Sequence, residues 1–442
     1  MKILIISEYI VPYQSVASIR WTKIIKYLKR NHHIERIDVV TLDKKIDNNR
    51  VKSDALLKND LKYIDHYYAV PAPMLNMEYM VYDIKKRFLT QSNEKQKGRK
   101  KNRKIRKKVY SLLVYFKQIY IALSVFHYIR YKIKIEQYDT VITSYGPEWT
   151  NLVGCKLSKK FKNMHWIADF RDQWNREFNK RNPERLIKKA RRICSGADCL
   201  LRINPYLELF ESHRQKVVVI PNGFDPEEKL EPVKSEVFRI VYTGTVYTSD
   251  EMDALFHALQ QLIHFNEIER SDLSIEYAGC TENLFIPYIQ KYKFESNFIN
   301  HHFISRKESL RLQSRSSLLL MAGWNTKNEK IVWSGKMYEY MMAKKPIVYL
   351  MAGEEKDCEA ARSIELLGGV CYQTCRKKET FPILKKYILE KYREWKETGN
   401  VYIKRDDAYI EQFSYPRIAD KVYQLLKKSD LHNRSLCMNY SQ

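Results

Sequence analysis

Short runs of Val, Ile and Leu alternate with stretches of helical periodicity along nearly the whole chain. Within each run the side chains are apolar at almost every position, which marks strands buried on both faces rather than half-exposed ones. Seven runs fall in the first half, at 2–7, 36–41, 67–71, 140–144, 165–169, 199–203 and 217–220. Six follow in the second, at 238–244, 273–279, 298–303, 317–322, 346–350 and 369–372. Strands separated by helices predict parallel sheets covered on both sides, an α/β architecture.

At 442 residues the chain exceeds what one core ordinarily organises, so two domains are expected. The break falls at the turn Pro221-Asn222-Gly223-Phe224-Asp225-Pro226 and the polar run behind it. The predicted layout is a doubly wound domain over 1–222, a linker over 223–236 and a second doubly wound domain over 237–412. Ser414-Tyr415-Pro416 separates two tail helices, 404–413 and 416–428. The last, assigned to 413–430, is expected to return to the first domain, with 431–442 a fraying tail. Ligands of such sheets bind beyond the carboxyl ends of the strands, so two facing domains predict one cleft.

The most informative stretch runs from Ser334, Gly335 and Lys336 through Glu339 and Tyr340 to Lys345 and Pro346. It reads as loop, helix and buried strand. A helix N-terminus carries unpaired N–H groups and positive dipole. With Lys336 beside it and Glu339 one turn in, the place suits a nucleotide diphosphate: phosphate on the amides and lysine, ribose hydroxyls on the carboxylate. The plainer reading is a core helix behind a loop, its lysine in solvent. In the same domain Gly244 and Thr245 end the first strand in a small turn able to lay N–H groups against phosphate.

In the first domain the turn after the first strand lacks G-x-G-x-x-G, which disfavours a simple NAD site. Ser15 or Ser18 can cap the following helix, and Arg20, one turn inside, is a candidate for an anion. The strand ending Trp166-Ile167-Ala168-Asp169 runs into Phe170-Arg171-Asp172. Asp169 or Asp172 can orient an acceptor hydroxyl or take its proton, and Arg171 can meet a carboxylate or phosphate. The alternative is an Asp–Arg pair that merely shapes the loop. Ser144 and Gly146 end the neighbouring strand, where Gly146 permits close backbone approach. No metal site is expected, because a lone D-x-x-D lacks further ligands at the right spacing.

Composition adds a partner. The net charge is +26. Between Lys85 and Lys108 thirteen Lys or Arg face one acid, Glu94, and a long aromatic–apolar stretch follows as far as Lys134. A basic segment joined to an aromatic one over 85–134 fits a membrane surface, whereas Lys117 and the tyrosines argue against a spanning helix. Nucleic acid is not expected, for no zinc-finger spacing or RNP-like motif is present. The first apolar run is too short for a signal peptide, and eight scattered cysteines without C-x-x-C suit reduced thiols. The expected location is cytoplasmic, at the inner face of the membrane.

Taken in order, Trp166–Trp174, Ile220–Asp225, Tyr242–Thr245 and Ser334–Pro346 resemble the W-x-A-D-F-R-D-P-W, P-N-G-F-D and G-K-x-x-E-Y-x-x-x-x-K-P segments of GT-B glycosyltransferases of the group-1 or family-4 kind, which act in polysaccharide biosynthesis. The resemblance covers nearly the whole chain. It implies two Rossmann-like lobes, a UDP- or GDP-linked sugar on the second, and a lipid-linked or polysaccharide acceptor on the first, as in capsule or lipopolysaccharide assembly. It further implies transfer with retention, no metal, and no cofactor beyond the nucleotide-sugar substrate. On that basis Asp169, Arg171 and Asp172 lie at the chemistry, Ser144 and Gly146 on the acceptor side, and Gly244, Thr245, Ser334, Gly335, Lys336 and Glu339 on the donor. Four departures stand out: Ile331 replaces a usual Glu, with Glu329 out of register, Thr245-Val246-Tyr247 replaces a basic run, Gln173 replaces proline, and the glycine-rich first loop is absent. A GT-B-like nucleotide-sugar epimerase or a non-catalytic subunit of an assembly complex would fit the same order.

Overall fold

The computed structural model describes residues 1–13, 15–43, 54–71, 100–171, 183–203, 213, 216–230, 233–247, 251–326, 334–356 and 359–438, without the side chains of 100–112, 183–187, 189 and 428–438. All thirteen strand segments form. The first sheet contains β1 (Lys2–Ile6), β2 (Arg36–Leu42), β3 (His66–Val70), β4 (Thr140–Ser144), β5 (His165–Phe170), β6 (Cys199–Arg202) and β7 (Val217–Val219). The second contains β8 (Phe238–Thr243), β9 (Leu273–Ala278), β10 (Phe298–Asn300), β11 (Leu318–Trp324), β12 (Ile347–Ala352) and β13 (Val370–Gln373). Every pairing is parallel.

The helices are α1 (Val16–His32), α2 (Ala55–Lys58), α3 (Lys100–Lys132), α4 (Trp149–Lys160), α5 (Pro183–Gly196), α6 (Met252–His264), α7 (Ile286–Lys291), α8 (Arg306–Ser314), α9 (Gly335–Ala343), α10 (Glu359–Leu366), α11 (Lys377–Thr398), α12 (Asp407–Glu411) and α13 (Tyr415–Met438). Local chemistry sets their ends. Ser15 is extended and its side chain accepts from the Ser18 N–H at 3.0 Å, which starts α1, and His33 in the left-handed region stops it. A reciprocal Ser305–Glu308 capping box starts α8.

The sheet orders are β3-β2-β1-β4-β5-β6-β7 and β10-β9-β8-β11-β12-β13. Each reverses direction once, between β1 and β4 and between β8 and β11. These reversals are the topological switch points, where the strand ends leave a crevice for ligands. The two compact units are Met1–Ser53 with Leu57–Pro221 and Ala419–Gln442, and Asp54–Leu56 with Asn222–Ile418. Thus α13 starts in the second unit and most of it belongs to the first, where Tyr423 stacks on His32 at 4.0 Å and Asp420 pairs with the same ring at 2.8 Å. It also runs on to Met438, past the Lys428 at which its sequence pattern closes.

Apolar layers follow from the double-sided burial. In the first unit Ile121, Val125, Ile129 and Ile133 of the α3 segment join Trp149 and Val153 of α4 and Trp166 of β5. Gly154 makes this possible, since a Cβ there would meet the Trp166 ring at 2.4 Å. In the second unit α6, α7 and α11 cover one face and α8, α9, α10 and α12 the other. Each buried aliphatic or aromatic side chain contributes about 1.5–3 kcal/mol relative to exposure. The α3 helix has a second apolar row, Leu113, Phe116, Tyr120, Leu123 and Tyr131, which is exposed. Of the basic–aromatic segment 85–134, residues 85–99 lie outside the described residues. β10 is shorter than its apolar pattern: the His301 N–H still donates to the Tyr277 carbonyl at 2.8 Å, but His302 turns the chain with φ +54°.

Candidate functional site

The second unit's switch point is built from the ends of β8 and β11 and the start of α9. Thr243 is the last residue of β8, and Gly244 turns the chain with φ +94°. Its N–H donates to the Ala278 carbonyl at 2.6 Å, and its own carbonyl accepts from Tyr277 Oη at 3.1 Å. A side chain here would be strained by the positive φ and would place Cβ 2.7 Å from Lys336 Cε. Glycine therefore leaves space for the lysine stem.

Ser334 is the N-cap of α9, extended at φ −79° and ψ 160°, and its side chain makes no capping bond. No acidic residue occupies the first turn. Among the described residues nothing compensates the positive end of the helix. Gly335 opens the helix, and Lys336 reaches back across the turn. Its Nζ donates to the Thr245 carbonyl at 2.6 Å and to Tyr242 Oη at 3.1 Å. The ammonium also lies 4.7 Å from the Tyr242 ring centroid and 5.9 Å from that of Tyr247. Among the described residues no carboxylate comes within ion-pair distance of it. Burial pulls its pKa down to about 8, against the opposing field of Glu339. A partly desolvated cation with, among the described residues, only neutral acceptors beside a helix N-terminus is chemically able to bind an anion.

Glu339 lies one turn further. Its Oε1 accepts from Arg306 Nε at 3.2 Å and its Oε2 from Gln313 Nε2 at 3.1 Å, both on α8. Burial disfavours the Arg306 cation, but Glu228, at 2.6 Å, and Glu339 outweigh it and push its pKa above the ordinary value. Tyr340, next in the motif, is a buried strut: its hydroxyl donates to the Leu320 carbonyl at 3.2 Å and accepts from the Thr243 N–H at 3.2 Å. It ties α9 to β8 and β11. Tyr247 is exposed and meets Trp324, at the end of β11, edge to face at 6.0 Å.

The first unit's switch point has the opposite character. Arg20, fully buried, gives Asp169 two bonds, Nε to Oδ2 at 3.1 Å and Nη2 to Oδ1 at 2.9 Å. Its Nη1 donates to the Pro221 carbonyl at 2.7 Å. Asp169 also accepts from Trp21 Nε1 at 2.7 Å and the Ser144 hydroxyl at 3.3 Å. The sequence reading gave Arg20 an anion and Asp169 the reaction; the structure joins them to each other. With four donors and no exposure, this carboxylate is an anchor of β4, β5 and α1. Arg171 donates to the Gly146 carbonyl and lies 5.3 Å from the Tyr9 ring centroid, so it shapes the loop end with Gly146 at φ +99°. Asp172 lies outside the described residues, as do Glu329, Ile331 and Gln173. Glu8, which sequence reasoning passed over, sits buried after β1 and accepts from Trp149 Nε1 at 2.5 Å. Among the described residues no group of His, Cys, Asp and Glu is arranged to hold a metal ion.

No protein-family model matches the chain, and no curated protein does. Solved structures do. A sucrose-phosphate synthase from Thermosynechococcus elongatus superposes with TM-score 0.59 at 11% identity, over 97% of this chain and 99% of that one. The fold is that of GT-B glycosyltransferases. A trehalose-6-phosphate protein from E. coli bound with UDP-2-fluoro glucose gives TM-score 0.59 at 12% identity, over 97% and 99% of the two chains. A UDP-GlcNAc 2-epimerase from Methanocaldococcus jannaschii gives 0.52 at 13% identity, over 97% and 100%. At these identities the likeness establishes the GT-B architecture, while the chemistry rests on this chain's own residues.

Proposed function

We propose that the protein is a glycosyltransferase that takes a sugar from a UDP- or GDP-linked donor and passes it, with retention and without a metal, to a lipid-linked or polysaccharide acceptor. The observation that supports this most is Lys336: a lysine with no carboxylate partner among the described residues, held at an uncapped helix N-terminus over a glycine turn. A departing nucleoside diphosphate gains negative charge as its bond to the sugar breaks, and pre-placed positive charge stabilises that change most. Lys336, the α9 N-terminus and the Gly244–Thr245 turn take the phosphates in this account, and Glu339 takes the ribose. The first unit's strand ends, with Ser144, Gly146, Arg171 and Asp172, serve the acceptor side, while Asp169 and Arg20 hold that side in shape.

A panel of nucleotide sugars in a thermal-shift assay tests the donor reading. A ligand at 100 times its Kd stabilises the native state by about 2.7 kcal/mol. One UDP- or GDP-sugar is expected to raise the unfolding midpoint, and Lys336→Ala is expected to remove the shift. No response to any member of the panel would favour the non-catalytic subunit. An altered sugar appearing without an added acceptor would favour epimerisation.

The α3 helix supports membrane docking in the same account. It presents an apolar row on the side opposite its core face, and its first nine residues, Lys-Lys-Asn-Arg-Lys-Ile-Arg-Lys-Lys, are almost wholly basic. No described helix is long and apolar enough to cross a membrane. A basic stretch for anionic headgroups beside aromatic and leucine side chains for the interface suits peripheral binding at the inner, cytoplasmic face. Flotation with anionic vesicles at low and moderate salt checks it, and absence of binding at both would remove it.

A further inference from the structure

We infer that Arg306 is a positioning residue for the nucleotide: with Gln313 it clamps the Glu339 carboxylate in the orientation that receives a ribose cis-diol. The inference rests on the donor reading and goes beyond it, because neither Arg306 nor Gln313 belongs to the segments that carry the family resemblance.

A carboxylate offers about four acceptor sites, two on each oxygen. In Glu339 one site on each oxygen is taken, Oε1 by Arg306 Nε at 3.2 Å and Oε2 by Gln313 Nε2 at 3.1 Å. One site on each oxygen remains, and the side chain keeps 21% of its exposure. Two adjacent acceptors fixed in one plane match the two adjacent hydroxyls of ribose. The clamp is itself held. Arg306 is almost fully buried and its Nη2 is anchored on Glu228 at 2.6 Å, so the guanidinium plane cannot turn away. Gln313 is fully buried and its Nε2 also donates to Thr243 Oγ1 at 3.0 Å, at the end of β8 beside the Gly244 turn. The ribose acceptor and the diphosphate turn therefore share one rigid frame. The clamp also ties the Glu339 carboxylate to α8, which stops it from swinging onto the Lys336 ammonium and occupying the anion site.

Affinities for UDP and GDP, and for their 2′-deoxy counterparts, measured by calorimetry on the full chain, test this. Wild-type protein is expected to bind one ribonucleotide at least fivefold tighter than its deoxy form. In Arg306→Met that ratio should fall toward one while the phosphate contribution through Lys336 remains. Glu228→Gln, whose amide oxygen can still accept from Arg306 Nη2 and so leaves the Arg306–Glu339 bond in place, should keep most of the ratio, an outcome a purely structural role would not separate from Arg306→Met. If Arg306→Met does not fold, Gln313→Met carries the same expectation. A wild-type ratio retained in the folded variant overturns the clamp and leaves the donor reading standing; a wild-type protein that binds ribo and deoxy forms equally overturns the clamp together with the assignment of Glu339 to ribose, while the phosphate site at Lys336 stands. If wild-type protein binds no nucleoside diphosphate at all, the donor reading fails and the clamp with it.

Discussion

The two switch points differ in how their charges are spent. At the first, Arg20 and Asp169 neutralise each other in full burial, with Trp21 and Ser144 completing the carboxylate. At the second, Lys336 bonds, among the described residues, to a carbonyl and a phenol, and burial lowers its pKa to about 8. One doubly wound topology thus places a closed ion pair in one unit and an open cation in the other. On the proposed reading the paired charge is an anchor, and the cation without a carboxylate partner among the described residues is the receptor.

The largest expected effect breaks the anchor. Asp169→Ala leaves Arg20 buried without its counter-ion, which costs about 3–5 kcal/mol. Thermal or urea unfolding should show this loss, while nucleoside-diphosphate affinity measured well below the midpoint stays at the wild-type value. An equal loss of affinity in the folded variant would mean that Asp169 faces ligand after all.

Lys336→Ala reverses the pattern. A charge-assisted bond to phosphate is worth about 1.5–3 kcal/mol, or roughly 10- to 100-fold in affinity. Stability should be unchanged or slightly raised, since a desolvated ammonium is removed. A variant that unfolds earlier while binding donor normally would make Lys336 an anchor like Asp169. Between these two lies Gly244→Ala, which combines a left-handed backbone penalty of about 1–2 kcal/mol with displacement of the Lys336 stem. Calorimetry should register losses in both stability and donor affinity. Smallest is the double change Phe116→Ser and Leu123→Ser on the exposed row of α3. Vesicle binding should fall severalfold in flotation with no change in unfolding midpoint, and unchanged flotation would take that row out of the membrane account.

Strand content was legible because both faces of each sheet are covered, so thirteen apolar runs stood out against polar connections. The Ser334–Tyr340 motif was legible for a similar reason: helix start, lysine and glutamate lie within two turns. What stayed hidden depends on distance along the chain. Arg20 and Asp169 are 149 residues apart, and nothing local in either segment announces the other. Arg306 lies 33 residues from Glu339, at the start of an ordinary capped helix. Likewise Tyr340 reads as one more aromatic in an apolar helix until its hydroxyl is seen bridging two strands. Local pattern exposes elements and short motifs, whereas charge pairing across the sheet decides which polar residues are left for a ligand.

The most direct test of the central claim is the pH dependence of nucleoside-diphosphate affinity between about pH 7.5 and 9.5, above the second phosphate ionisation near 6. Free Lys336 titrates at about 8, and a bound diphosphate raises that value by favouring the charged ammonium. Affinity should therefore be fully developed below the free-state pKa and decline as pH rises through it, with proton uptake on binding. In Lys336→Ala the affinity should be weak and flat over the same range. A wild-type affinity that stays constant from pH 7.5 to 9.5, or a variant that retains the wild-type decline, would contradict the assignment of Lys336 to the diphosphate.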